Sequence, residues 1–584
     1  MSIALIQYRK NVRKRTRILA FVLALWTLAV LARLVQLQIF GHARSRAQVT
    51  QQTQAKFEIS PQRGTIYDRK GNILAQSISS LTVYDSPMAG ESSAQRMARV
   101  RKLETFLGLS ANDLERIRSA MDRGAGNIVL KRKLNLEDDA KIRALGVPGV
   151  FAREEKMRFY PQGDLASHIL GSVGVDNAGL AGVEFKHEAT LQGKKGQQLV
   201  LRDAHRREYR FETLVEPQRG NDLVLTIDST IQYFAQKALE GAIQKYRASW
   251  GTVIISHPAT GEVLAMANWP SYDPNSYPPE SKEAEPNRSI QYMFDPGSTF
   301  KIVTASAALE SPDISLSDVF DCRKGFIETA GAPIRDHKNF GILTFPEVII
   351  HSSNVGTVEV GRRVGAGALY QMIKAFKFGE RTGIELPAEA LGKVHPLAEW
   401  TRRSLDSVSI GYEISVTALQ VLQAMNTIAN RGVLVPPRIV KAVQGQPLPA
   451  VANDSRILTE ETARRLIPIL EKAVLDGTGQ SAMAKGYTVA GKTGTTQKYD
   501  PDLKGFSSSK HMASFVGFVP VETPVLSIIV VLDEPKTDEY YGGQVAAPVF
   551  REIAVRVLRY LNIHPRPDPR PAIVAANGLK EAEQ

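Results

Sequence analysis

Residues 295–301 read Asp295-Pro-Gly-Ser298-Thr-Phe-Lys301, and the reading of the whole chain turns on them. Pro296-Gly297 breaks the chain, and Thr299 to Leu309 then has helical spacing, which puts Ser298 at a helix start. Residues three apart share a helix face, so Lys301 projects beside Ser298. A serine hydroxyl is a weak nucleophile without a neighbouring base. A lysine that is desolvated and close to another cation loses its proton and becomes one. Unpaired backbone N–H groups in the first turn suit a developing oxyanion. By itself Ser-x-x-Lys also describes a capping serine and a solvated lysine. Ser507 and Lys510 form a second copy, in a polar stretch where nothing fixes the geometry.

Two more elements follow in order. Ser352-Ser353-Asn354 offers a hydroxyl to relay a proton and an amide to hold a substrate carbonyl or orient Lys301. Lys492-Thr493-Gly494-Thr495 continues Val489-Ala490-Gly491 as an edge strand. There Lys492 supplies positive potential for an anionic substrate, and Thr493 and Thr495 hydrogen-bond its carboxylate. Gly491 and Gly494 let a ligand backbone come close. Ser110-Ala-Asn112 repeats Ser-x-Asn far upstream, but only the set Ser298, Ser352 and Lys492 runs in this order.

Around these motifs the pattern alternates between strand and helix. Leu223 to Asp228 reads as a strand, and Thr230 onward as an amphipathic helix. Short strands follow at Thr252–Ser256 and Val263–Ala267. The stretch from 299 to about 475 is mostly helical, strands return at Ala513–Val519 and Val525–Leu532, and Phe550–Leu561 is a last helix. Strands at both ends with helices between them give an α+β domain, residues 221–561, with an antiparallel sheet flanked by helices. Before it, residues 45–217 form an extended mixed module. It opens on a Gln-rich helical stalk or linker over 45–56, turns at Gly71-Asn72 and is helical over 92–122 with a break at Gly108. After the α+β domain, residues 564–584 form a Pro-rich disordered tail.

Ile18 to Ala32, ILAFVLALWTLAVLA, carries no charge, and LVQLQIF extends the apolar run past Arg33 to Phe40. The 23 residues from 18 to 40 span roughly 34 Å as a helix, enough for one transmembrane anchor. Arg33 is near enough to the outer end to snorkel. The net charge of +13 includes Arg9, Lys10, Arg13, Lys14, Arg15 and Arg17, a basic tail over 1–17 that keeps the N-terminus cytoplasmic and exports the rest. A cleaved signal peptide would need a small-x-small site that the sequence after the apolar run lacks. No motif supports nucleic-acid binding. The single cysteine, Cys322, excludes an internal disulfide and a Cys-only metal cluster, and no metal or cofactor is expected.

Ser-x-x-Lys, Ser-x-Asn and Lys-Thr-Gly in order form the signature of serine penicillin-recognising enzymes. The sequence resembles a class B penicillin-binding protein and, within that group, the septal FtsI-type transpeptidases. The likeness runs from the anchor to about residue 561. It includes Arg63-Gly-Thr-Ile-Tyr-Asp68-Arg69, Asn287-Arg288, Thr382-Gly-Ile-Glu-Leu-Pro387, Tyr540-Tyr-Gly-Gly543 and Ala547-Pro548. Ser-Ser-Asn-Val-Gly at 352–356 is closer to septal than to elongation-type members.

The resemblance implies a β-lactamase-like catalytic domain behind a non-catalytic pedestal. It implies that Ser298 attacks the D-alanyl-D-alanine of a peptidoglycan stem peptide and that an amine of a neighbouring stem peptide resolves the acyl-enzyme. It also implies an oxyanion hole from the N–H groups of Ser298 and Thr495, β-lactams as inhibitors, and a SEDS-family glycosyltransferase and other division proteins as partners. The alternatives are an elongation or sporulation transpeptidase, a D,D-carboxypeptidase, a β-lactamase, and a non-enzymatic division scaffold or β-lactam sensor. The sequence departs from the family pattern at His257, Glu413 and Ala418, where Asp, Gly and Pro are usual.

Overall fold

The computed structural model describes residues 2–40, 54–88, 90–202, 208–448, 455–500, 502 and 505–566. The expected tail lies outside the described residues apart from 564–566, as does most of the Gln-rich segment. Residues 54–56 do not continue a helical stalk; they open a strand, Gln54–Ile59. Helix α1 (Ser2–Val35) takes in the basic tail and runs on into a π turn, Gln36–Phe40. Among the described residues it is the one helix long and apolar enough to cross a membrane, over Leu5–Ile39. Arg33 donates to Gln36 Oε1 at 2.8 Å.

The chain folds into two compact units, and the segment expected as one pedestal contributes to both. One unit comprises residues 1–62, 79–156 and 194–219, the other 63–78, 157–193 and 220–584. In the first, Gln54–Ile59, Gly196–Arg202 and Glu208–Val215 form a three-stranded sheet. Helices Ser93–Arg101 and Ala111–Asp122 close a small core around Val100, Leu107, Ile117 and Leu130. Gly108 makes the expected break, at φ +56°. Ser110 caps the second helix in a reciprocal pair with Asp113, which accounts for the upstream Ser-x-Asn match.

In the second unit Arg63 is buried against Glu184 and Glu188, each at 2.6 Å. The turn at 71–72 forms as expected, with Asp68 N–H donating to the Asn72 carbonyl at 2.8 Å. The centre of the unit is a five-stranded antiparallel sheet of β1 (Trp250–Ser256), β2 (Val263–Trp269), β3 (Ala490–Asp500), β4 (Gly505–Val519) and β5 (Leu526–Asp533), in the order β2-β1-β5-β4-β3. It joins the beginning and the end of the unit, as the sequence pattern implies.

Both faces of the sheet are covered, which is why its inner strands read as unbroken apolar runs. Helix α2 (Ser229–Tyr246) precedes the sheet. The chain then passes through α3 (Lys301–Glu310), α4 (Asn354–Val364), α5 (Ala418–Ala429) and α6 (Glu460–Leu475) and finishes in α7 (Ala547–Tyr560). Val253, Ile255, Ile528 and Val530 point toward α2 and α7, and Ile254, Val516, Ile529 and Val531 toward α3–α6. Helix α3 is buried over its whole length from Lys301 to Leu309, so it must be apolar all round, and it is, apart from Lys301 and small hydroxyls.

The polar stretch holding Ser507 and Lys510 is part of β4, with Lys510 paired to Asp500 at 2.9 Å. This second Ser-x-x-Lys has fixed strand geometry and its lysine already has a counter-ion.

Candidate active site

Residues 297–300 form a 3₁₀ turn, and α3 starts at Lys301 itself. Lys301 N–H donates to the Ser298 carbonyl, and in such a turn side chains three apart eclipse, so the expected Ser298–Lys301 alignment arises by a tighter winding. The turn is set by close backbone packing. Gly297 has φ +52° and a Cβ there would meet Thr496 Cγ2 at 2.2 Å; Gly411 has φ +83° and its Cβ would meet the Gly297 carbonyl oxygen at 2.3 Å. Gly297 N–H donates to the Gly411 carbonyl at 3.0 Å. Just before the turn, burial pushes the Asp295 carboxyl up to about 6.

The second wall is the link between the short helix Phe345–Ile350 and α4. Ser352 sits there at φ +60°, a conformation a serine holds only when its surroundings impose it. Ser353 caps α4 and donates to Asp336 Oδ2 at 2.7 Å. Asp336 Oδ1 takes the N–H groups of Asn354 and Val355. Asn354 Nδ2 donates to the Arg335 carbonyl at 2.8 Å, leaving its oxygen aimed at Lys301. Cys322, buried, lies with Sγ 3.3 Å from Ser353 Oγ.

The third wall is β3, the edge strand, as expected. Its alternation splits the motif. Lys492 and Gly494 face the nucleophile turn and Ser352: Lys492 Nζ is 2.9 Å from Ser352 Oγ, and a Cβ on Gly494 would meet Thr299 Cγ2 at 2.8 Å. Thr493 and Thr495 face the other way. Thr493 Oγ1 shares a 2.6 Å hydrogen bond with Thr478, and Thr495 Oγ1 accepts from Gly542 N–H at 2.9 Å. The Tyr540–Gly543 segment thus packs against the strand, where a Cβ on Gly542 would meet the Gly494 carbonyl oxygen at 2.3 Å.

Lys301 is the hub, with no exposed surface. Its Nζ lies 2.7 Å from the Ser352 carbonyl, 2.8 Å from Asn354 Oδ1 and 3.3 Å from Ser352 Oγ. Burial lowers its pKa to about 7, while the Asp336 carboxylate pulls the other way. Lys492 is pushed well below the ordinary lysine range by burial and by repulsion from Lys301. Burial thus favours the neutral form of both lysines, with the Asp336 carboxylate opposing it at Lys301 and the Lys301 charge adding to it at Lys492.

Ser298, Lys301, Ser352, Asn354 and Lys492 thus come together, while Thr493 and Thr495 stand on the opposite side of β3. Sequence reasoning missed Asp336, Thr478 and the docking of Gly542. No spacing rule marks Asp336, and only the Tyr-Tyr-Gly-Gly run hinted at Gly542. Of the departures, Glu413 occupies φ +59°, a glycine-favouring position, and Ala418 is the first residue of α5, where proline also fits. His257 opens the β1–β2 turn, with its N–H on the Glu262 carbonyl at 2.9 Å. Among the described residues no His, Cys, Asp and Glu cluster could hold a metal ion.

Comparison with known proteins bears on this arrangement. The penicillin binding protein transpeptidase domain matches residues 251–554, and the penicillin-binding protein dimerisation domain matches 58–225. Stage V sporulation protein D of Bacillus subtilis is 34% identical over 87% of this chain and 79% of its own length. The peptidoglycan D,D-transpeptidase FtsI of Escherichia coli is 33% identical over 87% of this chain and 85% of its own. Penicillin binding protein 3 of Mycobacterium tuberculosis, solved with ampicillin, superposes with a TM-score of 0.68 at 28% identity, covering 88% of this chain and 98% of that one. A transpeptidase domain behind a dimerisation domain, in a chain that matches D,D-transpeptidases over most of their length, belongs to the class B penicillin-binding proteins.

Proposed function

We propose that the chain is a serine D,D-transpeptidase that cross-links peptidoglycan through a Ser298 acyl-enzyme. The observation that carries this reading is the setting of Lys301. A neutral amine has two N–H groups, and the Ser352 carbonyl and Asn354 Oδ1 take both. Its lone pair is left for a hydroxyl proton, and Ser298 lies one eclipsed turn away.

In this mechanism Ser298 Oγ attacks the carbonyl of the penultimate D-alanine while its proton passes to Lys301. The backbone N–H groups of Ser298 and Thr495 stabilise the oxyanion. As the C–N bond breaks, the leaving D-alanine nitrogen takes a proton relayed through Ser352. An acceptor amine then attacks the acyl-enzyme, loses its proton along the same relay and restores Ser298. The substrate lies along the backbone of β3 at Thr493, Gly494 and Thr495, and its carboxylate binds beside Lys492. Its negative charge draws the shared proton to Lys492 and frees Lys301 as base.

The basic residues in the first half of α1 favour an N-terminus in the cytoplasm and a catalytic unit outside the membrane. The Ser352–Gly356 sequence favours work at the septum, beside a SEDS-family glycosyltransferase.

Labelling with a fluorescent penicillin and mass mapping of the adduct tests the chemistry. Ser298→Ala is expected to abolish labelling and Ser507→Ala to retain it; a labelled Ser298→Ala protein would remove the assignment. Rapid turnover of the label would indicate a β-lactamase. Depletion is expected to give filaments of undivided cells, whereas swollen cells or a block confined to spore formation would assign an elongation or sporulation role.

A further inference from the structure

At the opposite edge of the sheet from Lys492, a cavity of about 310 Å³ opens between α2, the end of β2 and residues 162–165. Its size is within the range of small-ligand pockets, about 300–1,000 Å³. Its lining joins two aromatic faces, Tyr233 and Trp269, to Gln162, Asp164, Gln236 and Ser271. Tyr233 is 50% exposed although it stands on a helix that has an apolar face to bury it.

The polar groups are held in place from behind. Gln162 Nε2 donates to the Ile73 carbonyl at 3.2 Å, Gln236 Oε1 accepts from Ala166 N–H at 3.1 Å, and Ser271 Oγ lies 3.2 Å from Ser167 Oγ. Gln162 and Ser271 keep further donor or acceptor capacity for a ligand, whereas Gln236 is taken up by Ala166, Gln232 and Asp164 and fixes the wall between them.

A pyranose ring has just these needs. Its axial C–H groups form apolar, weakly positive faces that lie against the negative face of an aromatic ring. Its rim of hydroxyl and acetamido groups requires alternating donors and acceptors, which amide and carboxylate side chains supply. Lys237 and Glu240, also in the lining, pair with each other at 2.8 Å, which leaves one carboxylate, Asp164, with neutral polar groups and two aromatic side chains to meet a ligand. Resting on the proposed function for its substrate class, we infer that this cavity binds the β-1,4-linked N-acetylated glycan backbone of peptidoglycan. It is a second attachment point, four strands away from the stem-peptide cleft.

The test uses the full chain in nanodiscs, with chitotetraose as the probe. Calorimetry gives the affinity, and the penicillin acylation rate is measured on the same samples. Chitotetraose is expected to bind, and Tyr233→Ala and Asp164→Asn are each expected to weaken it by about tenfold or more. Both variants should acylate within about twofold of the parent rate, since they lie away from the cleft. Parent protein that acylates normally but does not bind chitotetraose, or binding that neither variant weakens, overturns the glycan site and leaves the transpeptidase reading intact. Parent protein that binds chitotetraose but does not acylate supports the glycan site and removes the transpeptidase reading.

Discussion

Lys301 is fully buried with a pKa lowered to about 7, so near neutrality its amine is divided between its two protonation states. Acylation requires the neutral form, and its rate is expected to rise with pH through a limb centred near 7. A penicillin ester, which lacks the carboxylate that draws the proton to Lys492, should show the same limb displaced to higher pH; coincident profiles would break the proposed coupling. Lys301→Arg should acylate at a small fraction of the parent rate, because guanidinium keeps its proton. The same burial governs stability. Between about pH 7 and the ordinary lysine value of 10.5 the folded protein binds fewer protons at Lys301 than the unfolded chain, so stability rises with pH across that window. Lys301→Met should lessen this slope, leaving the part that buried Lys492 contributes, and melt higher while failing to acylate, which thermal scans at several pH values would check. The sequence showed that Lys301 is paired with a serine, but not that the Asp336 carboxylate opposes the effect of burial there, because the two residues lie 35 apart in the chain without a motif.

At the scale of elements, β3 works through its pleat: one face closes the cleft and the other receives the Gly542 segment. Gly494 is where these demands meet, since a Cβ would approach Ser514 Oγ to 2.4 Å and the Pro296 carbonyl oxygen to 3.1 Å. Gly494→Ala is expected to push the strand off the nucleophile turn and cut the acylation rate by about 100-fold. Gly241→Ala, inside α2 with nothing within 4 Å, should leave acylation unchanged and raise stability by about 1 kcal/mol. A parent-like rate in Gly494→Ala would show that the tight packing has no catalytic consequence. The strands of the central sheet were legible as apolar runs and α2 and α7 by their helical spacing, whereas the stretch from 299 to about 475, read as mostly helical, also holds short strands such as Val319–Asp321 and Val440–Val443. The 3₁₀ turn at 297–300 was not legible, since three and four residues per turn give the same Ser298–Lys301 spacing. Nor was the strand character of 505–511, because this end of the hairpin buries little apolar surface to mark it.

For the molecule as a whole, α1 is the one described helix fit to span a membrane, and the basic residues at its start set the expected orientation. An alkaline phosphatase fused after Gln584 should be active, and one fused after Lys14 inactive; the opposite pattern would reverse the topology. The division into two units was only partly legible. Residues 63–78 and 157–193 share the polar, glycine-rich texture of their neighbours, and it is long-range contact such as Arg69 with Glu262 at 3.3 Å and His168 Nε2 with the Ala284 carbonyl at 2.8 Å, not composition, that places them with the catalytic unit. The strand order β2-β1-β5-β4-β3 also governs when this protein can first act. The strand bearing Lys492 pairs only with β4, β4 reaches β1 only through β5, and β5 ends at Asp533. In the proposed topology a chain emerging from a translocon carries Ser298 and Ser352 across the membrane long before the sheet that aligns them can close. Until some 280 residues beyond β1 have arrived, the proposed nucleophile has no cleft to act in, and the strands already delivered are left for whatever guards unfolded chains on that side.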